Sequence, residues 1–176
     1  LVGSEMCIRD RVLTVLVPTY NVEKYLRRCL DSLLLPEVLE EIEVLVVNDG
    51  SKDGSADIAR AYEKKYPQTV VFVDKENGGH GSTINVGIEK AQGTYFKVLD
   101  SDDWVNIGDF IEFVKRLKEE TADAVICDYR KEHVYNGKSE YFEYKDLEDG
   151  KKYNLNEIDL NILHGEYFMM ATTTYR

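Results

Sequence analysis

The stretch Tyr95-Phe96-Lys97-Val98-Leu99-Asp100-Ser101-Asp102-Asp103-Trp104 is a short apolar run that ends in three carboxylates within four positions. It reads as a buried strand delivering acids to its C-terminal edge. In an open parallel sheet, ligands bind in the crevice beyond the carboxyl ends of the strands, which sets Asp100, Asp102 and Asp103 where a ligand would sit. Clustered carboxylates repel one another, and a divalent cation makes their proximity favourable. The competing reading is plainer: Asp102 or Asp103 caps the helix that follows.

Toward the N-terminus, strand-like and helix-like runs alternate. Val12 to Val17 reads as a strand, with Pro18 expected to end its ladder. Val22, Tyr25, Leu26, Cys29, Leu30 and Leu33 recur at helical spacing, which places Cys29 in the core. Ile42 to Val47 is apolar enough for a strand covered on both faces, and it runs into Asn48-Asp49-Gly50-Ser51. A helix bearing Ile58, Ala61, Tyr62 and Tyr66 stops before Pro67, and Val70 to Val73 is a third strand. The glycine-rich turn from Asn77 to Ser82 leads into a helix with Ile84, Gly87, Ile88 and Ala91 on one face.

Beyond Trp104, Ile107, Phe110, Ile111, Val114 and Leu117 mark an amphipathic helix, and Ala124 to Cys127 a further strand. This order predicts an α/β protein: a three-layer α/β/α sandwich around a mainly parallel sheet with right-handed crossovers. Past Asp128, Tyr129, Tyr135, Tyr141, Phe142, Tyr144 and Tyr153 are interleaved with charges and with Gly137 and Gly150. That segment reads as strands or a hairpin, then a helix from about Asn154 to Leu163. The end at Thr174-Tyr175-Arg176 reads as an interruption.

Composition narrows the function. At 176 residues and 43% hydrophobic content, the chain can build one domain with a sizeable core. A formal net charge of −11 argues against a nucleic acid polymer as partner, while a single nucleotide held through a metal stays open. Cys7, Cys29 and Cys127 are too far apart for a zinc knuckle or a disulfide framework, which fits a reducing compartment. No apolar run approaches the roughly 20 residues of a membrane span, so a cytoplasmic protein is expected, including one peripheral at the membrane. Residues 1–11 have no period and resemble translated sequencing-adapter sequence, so they are read as a non-native leader.

Several motifs compete. Asp49-Gly50-Ser51-Lys52-Asp53-Gly54 imitates a calcium loop but places Arg60 where the twelfth position needs a bidentate glutamate. Asp100-Ser101-Asp102 has the form of an aspartyl-phosphate motif, yet that motif ends a first strand and this one a fourth. The glycines at 78, 79 and 81 do not follow the first strand as a dinucleotide fingerprint must. His80, His133 and His164 lack metal-ligand spacing, and His80 alone lies in a glycine turn facing the sheet edge. Asp49 ends a strand at the same edge as Asp100, where it can accept hydrogen bonds from a base or ribose; its alternative is to cap the helix at Ser55.

Four segments together resemble the family 2 glycosyltransferases of the GT-A, Rossmann-like fold. They are Val17-Pro18-Thr19-Tyr20-Asn21, the run from Val47 to Ser55, Asn77-Gly78-Gly79 through Asn85 and Gly87, and Gly93-Thr94-Tyr95 with Leu99-Asp100-Ser101-Asp102-Asp103. The resemblance covers Val12 to about Cys127. It implies transfer of a sugar, with inversion, from a nucleotide-diphosphate sugar such as a UDP-sugar to a carbohydrate or lipid-linked acceptor in polysaccharide biosynthesis. It also implies that Thr19, Tyr20, Asp49 and Asp100 hold the nucleotide and that Asp100 and Asp102 meet Mg²⁺ or Mn²⁺. Asn77, Gly79, His80 and Asp103 are then candidates for the donor sugar. Residues 12–128 become the donor-binding domain and 129–176 the start of the acceptor side, with the catalytic base expected beyond Arg176. Inside the chain, Asp128, Glu132 and Glu166 are the next carboxylates to consider. One departure stands out: Thr83-Ile84-Asn85 replaces the family's frequent Ala-Arg-Asn. A nucleotide-sugar-binding module and a nucleotidyltransferase are the alternatives, though Pro18-Thr19-Tyr20-Asn21 is not the glycine- and arginine-rich phosphate loop of the latter.

Overall fold

In the computed structural model, which describes residues 11–133, 135–145, 147–154, 156 and 170–176, the apolar runs lie side by side as parallel strands. These are β1 (Leu13–Thr19), β2 (Ile42–Asp49), β3 (Val70–Lys75) and β4 (Tyr95–Val98), paired in the order β3-β2-β1-β4. Every residue of β1 and β2 is buried, as both faces of a central parallel strand must be. Helices α1 (Glu23–Leu33), α2 (Ser55–Lys65), α3 (His80–Lys90) and α4 (Ile107–Leu117) fill the connections.

Side-chain alternation along the strands sorts the helices into layers. Leu13, Val15, Val17, Val44 and Val46 pack against Leu26, Leu30 and Leu33 of α1, Ile58 and Ala59 of α2, and Phe110 and Val114 of α4. Leu16, Leu45, Val47 and Val98 face the other way, against Ile84 and Val86 of α3. The result is the expected three-layer sandwich. At the turn into β4 the backbones almost touch: a Cβ on Gly93 would lie 2.4 Å from the Thr14 amide nitrogen, so only glycine fits there.

Several expectations are corrected. Pro18 does not end β1, which continues to Thr19. Leu16 accepts from the Leu99 N–H, so the hydrogen-bonding edge it shares with Pro18 faces β4, which has already ended; no ladder partner misses the absent N–H. Tyr25, Ile88 and Ile107 are exposed rather than core, and Ala59 takes the buried place expected for Ala61. Arg11, the last residue of the stretch read as a leader, is buried and donates to the carbonyls of Leu39, Glu40 and Gln68.

The far edge of the sheet also differs from simple alternation. β5 (Ala124–Ile126) does not pair with β4, because β8 (Thr173–Tyr175) lies between them, antiparallel to both. The expected hairpin forms as β6 (Tyr129–His133) and β7 (Lys138–Phe142), with Tyr129 stacked on Phe142. The helix expected from Asn154 to Leu163 falls, from 157 onward, outside the described residues, as do His164 and Glu166.

Candidate functional site

Where the parallel strands end, the loops after β1, β2, β3 and β4 enclose a cleft of about 590 Å³. Thr19, Tyr20, Asp49, Asn77, Gly79, His80, Asp100 and Asp102 all line it, and Asp103 does not. Sequence reasoning missed Pro18, Val22, Thr83 and Ser101, which complete the wall and carry no charge to signal them. A smaller cleft of about 350 Å³ lies at the opposite, N-terminal edge of the strands, against Leu39, Tyr66, Pro67 and Thr69, away from every candidate residue.

Much of the motif between Asn48 and Ser55 serves to hold the loop after β1. Ser51 Oγ accepts from the Asn21 N–H at 3.0 Å, and Asn21 Oδ1 accepts from the Lys52 N–H at 2.8 Å. Ser55 Oγ accepts from the Val22 N–H at 2.9 Å. Asp53 accepts from the N–H of Glu23 at 3.0 Å, and Glu23 accepts from the N–H of Gly54 at 2.9 Å. The two helix starts thus satisfy each other's unpaired amides, and each places a carboxylate at the positive end of a helix. Tyr20, 48% exposed, is presented to the cleft from this braced loop.

Asp49 has a different set of partners. Its Oδ1 accepts from Lys75 Nζ at 2.5 Å and from the Gly78 N–H at 2.9 Å, while Oδ2 accepts from the Gly79 N–H at 2.8 Å. Burial pushes its carboxyl up, but the Lys75 bond and the two glycine amides outweigh that and hold it below the usual carboxylate range. Asp49 does not cap α2, where Asp53 accepts from the Ser55 N–H instead. Gly79, with φ of 83°, supplies the left-handed turn that aims these amides.

The acids after β4 sit in a tight turn, with the Asp103 N–H donating to the Asp100 carbonyl at 2.9 Å. Neither Asp102 nor Asp103 caps α4; Asn106 does, accepting from the Asp109 N–H at 3.2 Å. Burial, then the charges of Asp102 and Asp100, push the Asp103 carboxyl up. The same turn is felt by Cys29 beneath it, whose thiol is raised by burial and by Asp103, Asp102 and Asp100. His80 Nε2 lies 3.2 Å from Asp100 Oδ1, both side chains half-exposed. Among the described residues no group of three or more His, Cys, Asp or Glu is placed to hold a metal alone. Two carboxylates on one loop, Asp100 and Asp102, are a donor set suited to Mg²⁺ or Mn²⁺ that is also ligated by phosphate oxygens.

The remaining candidates lie elsewhere. Asp128 accepts from the Tyr144 N–H and the Tyr141 hydroxyl, and Glu132 accepts from Ser139, so both brace the hairpin. His133 stands beside Glu140 in the same hairpin.

Comparison with solved structures agrees with this architecture. S. aureus TarS 1-349 in complex with UDP-GlcNAc superposes with a TM-score of 0.57 at 32% identity, covering 65% of this chain and 33% of that one. The three-layer sheet with its cleft at the carboxyl ends of the strands is of the GT-A class. The family model described as Glycosyl transferase family 2 matches residues 14–172, and the chain belongs to that family. The glycosyltransferase GlyA of Streptococcus pneumoniae is 38% identical over 125 residues, spanning 70% of this chain and 17% of that protein. EpsH of Bacillus subtilis, which carries a glycosyltransferase name, is 41% identical over 127 residues, spanning 72% of this chain and 36% of that protein. The chain therefore spans about a third or less of the length of these relatives.

Proposed function

We propose that this chain forms the donor-binding part of an inverting glycosyltransferase that takes a sugar from a nucleotide-diphosphate sugar, a UDP-sugar in the first instance, to an acceptor hydroxyl. The observation that carries this reading is convergence: residues from four separated segments, chosen by motif, line one cleft. The UDP-GlcNAc complex of TarS supports a UDP-sugar as donor. Tyr20, Thr19 and Asp49 hold the nucleoside; Asp100 takes the ribose side, and Asp100 with Asp102 faces the diphosphate. Asn77, Gly79 and His80 face the donor sugar, and Asp103, which does not line the cleft, is left out of that set.

Asp100 and Asp102 are the residues that would hold Mg²⁺ or Mn²⁺, which when bound would neutralise charge on the leaving diphosphate. The protein's own part is to fix the nucleotide and so orient the anomeric carbon, a contribution that reaches several kcal/mol when geometry is well defined. Inversion also needs a base within hydrogen-bond reach of the acceptor hydroxyl. That base is expected on the acceptor side of the cleft. The acceptor is a carbohydrate or a lipid-linked sugar of polysaccharide biosynthesis, met in the cytoplasm or at its membrane face. Among the described residues no helix is long and apolar enough to cross a membrane.

Calorimetry with UDP and Mn²⁺ tests this. The wild type is expected to bind UDP only when the metal is present, and Asp102→Ala to lose most of that affinity. Metal-independent binding, or unchanged binding by Asp102→Ala, overturns the assignment.

A further inference from the structure

Asp102 lines the cleft and is exposed, and among the described residues its side chain makes no hydrogen bond or ion pair. Its carboxylate is therefore placed by the backbone of the turn that carries it. That turn closes on itself through the Asp103 N–H and the Asp100 carbonyl, and beyond this it is held from outside by one helix, α1. Cys29 Sγ donates to the same Asp100 carbonyl at 3.9 Å. The Arg28 guanidinium lies 3.3 Å from the centre of the Trp104 ring, a cation over an aromatic face. Ser32 Oγ accepts from the Val105 N–H at 3.2 Å, which has no other acceptor among the described residues, and donates to the Cys29 carbonyl at 2.7 Å. Residues 28, 29 and 32 stand at one-, three- and four-residue spacings, so neighbouring turns of the helix grip the acid turn at both of its ends.

α1 is a firm reference for that grip. Leu26, Leu30 and Leu33 are fully buried in the layer against β1 and β2. At its other end the helix continues from the loop that presents Tyr20, where Ser55 and Asp53 hold the Val22 and Glu23 N–H groups. One rigid element thus joins the Tyr20 side of the cleft to the acid side. The two sides tolerate error differently. A metal such as Mg²⁺ needs near-ideal geometry at about 2.0–2.1 Å, so a carboxylate that drifts by about 1 Å no longer ligates an ion that must also reach phosphate oxygens.

We propose that Arg28 and Ser32 of α1 are positioning residues that fix the turn from Asp100 to Val105, and with it the Asp102 carboxylate, so that metal-dependent binding of the diphosphate depends on them and binding of the nucleoside does not. This rests on the reading of the cleft as a metal-dependent nucleotide-sugar site, and it adds two residues outside the cleft wall to that site.

The test is calorimetry of the whole chain with uridine and with UDP plus Mn²⁺, on the wild type, Arg28→Ala, Ser32→Ala, the double variant and Asp102→Ala, with urea unfolding of each. Arg28 is exposed, so Arg28→Ala is expected to unfold as the wild type does. Ser32→Ala leaves the Val105 N–H without its acceptor and is expected to weaken UDP with Mn²⁺ about three- to tenfold, the scale of one hydrogen bond. Arg28→Ala is expected to weaken it about two- to fivefold, the scale of an exposed cation–π contact, and the double variant about tenfold or more. Uridine affinity is expected to stay within about twofold of the wild type throughout. Unchanged UDP affinity in the double variant while Asp102→Ala still loses it, or an equal loss of uridine and UDP in Arg28→Ala, overturns the inference and leaves the site standing. Wild-type binding of UDP that ignores Mn²⁺ and Asp102 overturns the reading of the cleft itself, and the inference with it.

Discussion

Replacing Asp49 by asparagine keeps the outline of the side chain and removes its charge and one accepting oxygen. Three donors converge on that carboxylate, from Lys75, Gly78 and Gly79. If the amide oxygen serves Lys75 and Gly78, the amide nitrogen meets the Gly79 N–H, donor against donor. If the amide turns over, Gly79 is satisfied and the nitrogen faces the Lys75 ammonium. In either orientation a buried hydrogen bond is lost, and the bond to Lys75 loses its ionic partner. A hydrogen bond to a charged group contributes about 1.5–3 kcal/mol, and a side chain only 4% exposed gives water little chance to replace it. We expect urea unfolding at pH 7 to show Asp49→Asn less stable by that amount, with an unchanged m-value.

The same substitution has a pH signature. The Asp49 carboxyl sits below its usual range in the folded protein, since the Lys75 and glycine bonds overcome the opposing effect of burial. A depressed folded value contributes stability that is present above the unfolded value, about 3.9, and is lost as pH falls through the folded one. The gap between wild type and variant should therefore hold at neutral pH and narrow below about pH 4. On the proposed reading, in which Asp49 holds the nucleoside, uridine and UDP should weaken together. A variant as stable as the wild type at pH 7, a gap that does not narrow in acid, or a loss confined to metal-dependent diphosphate binding would refute the reasoning.

Two further outcomes follow from the scaffold. Gly93→Ala should destabilise by about 1–3 kcal/mol or more in urea, because the new Cβ meets the backbone of buried β1, 2.4 Å from Thr14 N and 2.7 Å from the Leu13 carbonyl carbon; no change would mean that the turn before β4 is free to shift. Lys97 is buried in β4, where burial depresses its ammonium and Nζ donates to the Ala171 carbonyl at 2.6 Å. A lysine with a depressed folded value is protonated more readily when unfolded, so wild-type stability should climb relative to Lys97→Met as pH rises toward about 10.4; parallel stability profiles for the two proteins would exclude it.

The parallel half of the fold was legible because its strands are covered on both faces and so spell long apolar runs, as Ile42 to Val47 does. β8 was not legible for the opposite reason. Thr173, Thr174 and Tyr175 show no apolar run, and they become a central strand only through pairing with Phe96 and Lys97 on one side and Ala124 to Ile126 on the other. The exposed Tyr25, Ile88 and Ile107 show the same limit on a smaller scale, since periodicity marks one stripe of a helix and the width of its cover is set by the neighbours.

At the site, the motifs located the cleft but did not divide its labour. Asn48 to Ser55 reads as one recognition motif, yet its residues part company in the fold. Asp49 turns to the cleft, while Ser51, Asp53 and Ser55 turn to the loop after β1 and brace Asn21, Val22 and Glu23. Chemistry and scaffold are packed into the same eight positions because a parallel sheet delivers both at the ends of its strands: the side chains that meet a ligand and the amides of the next helix start need partners in the same place. Lys75 escaped notice on the same grounds. It stands 26 positions from Asp49 with no motif around it, and only the parallel register of β2 and β3 sets the two side by side. A contact between side chains so far apart in the sequence is visible only after the strands have been paired.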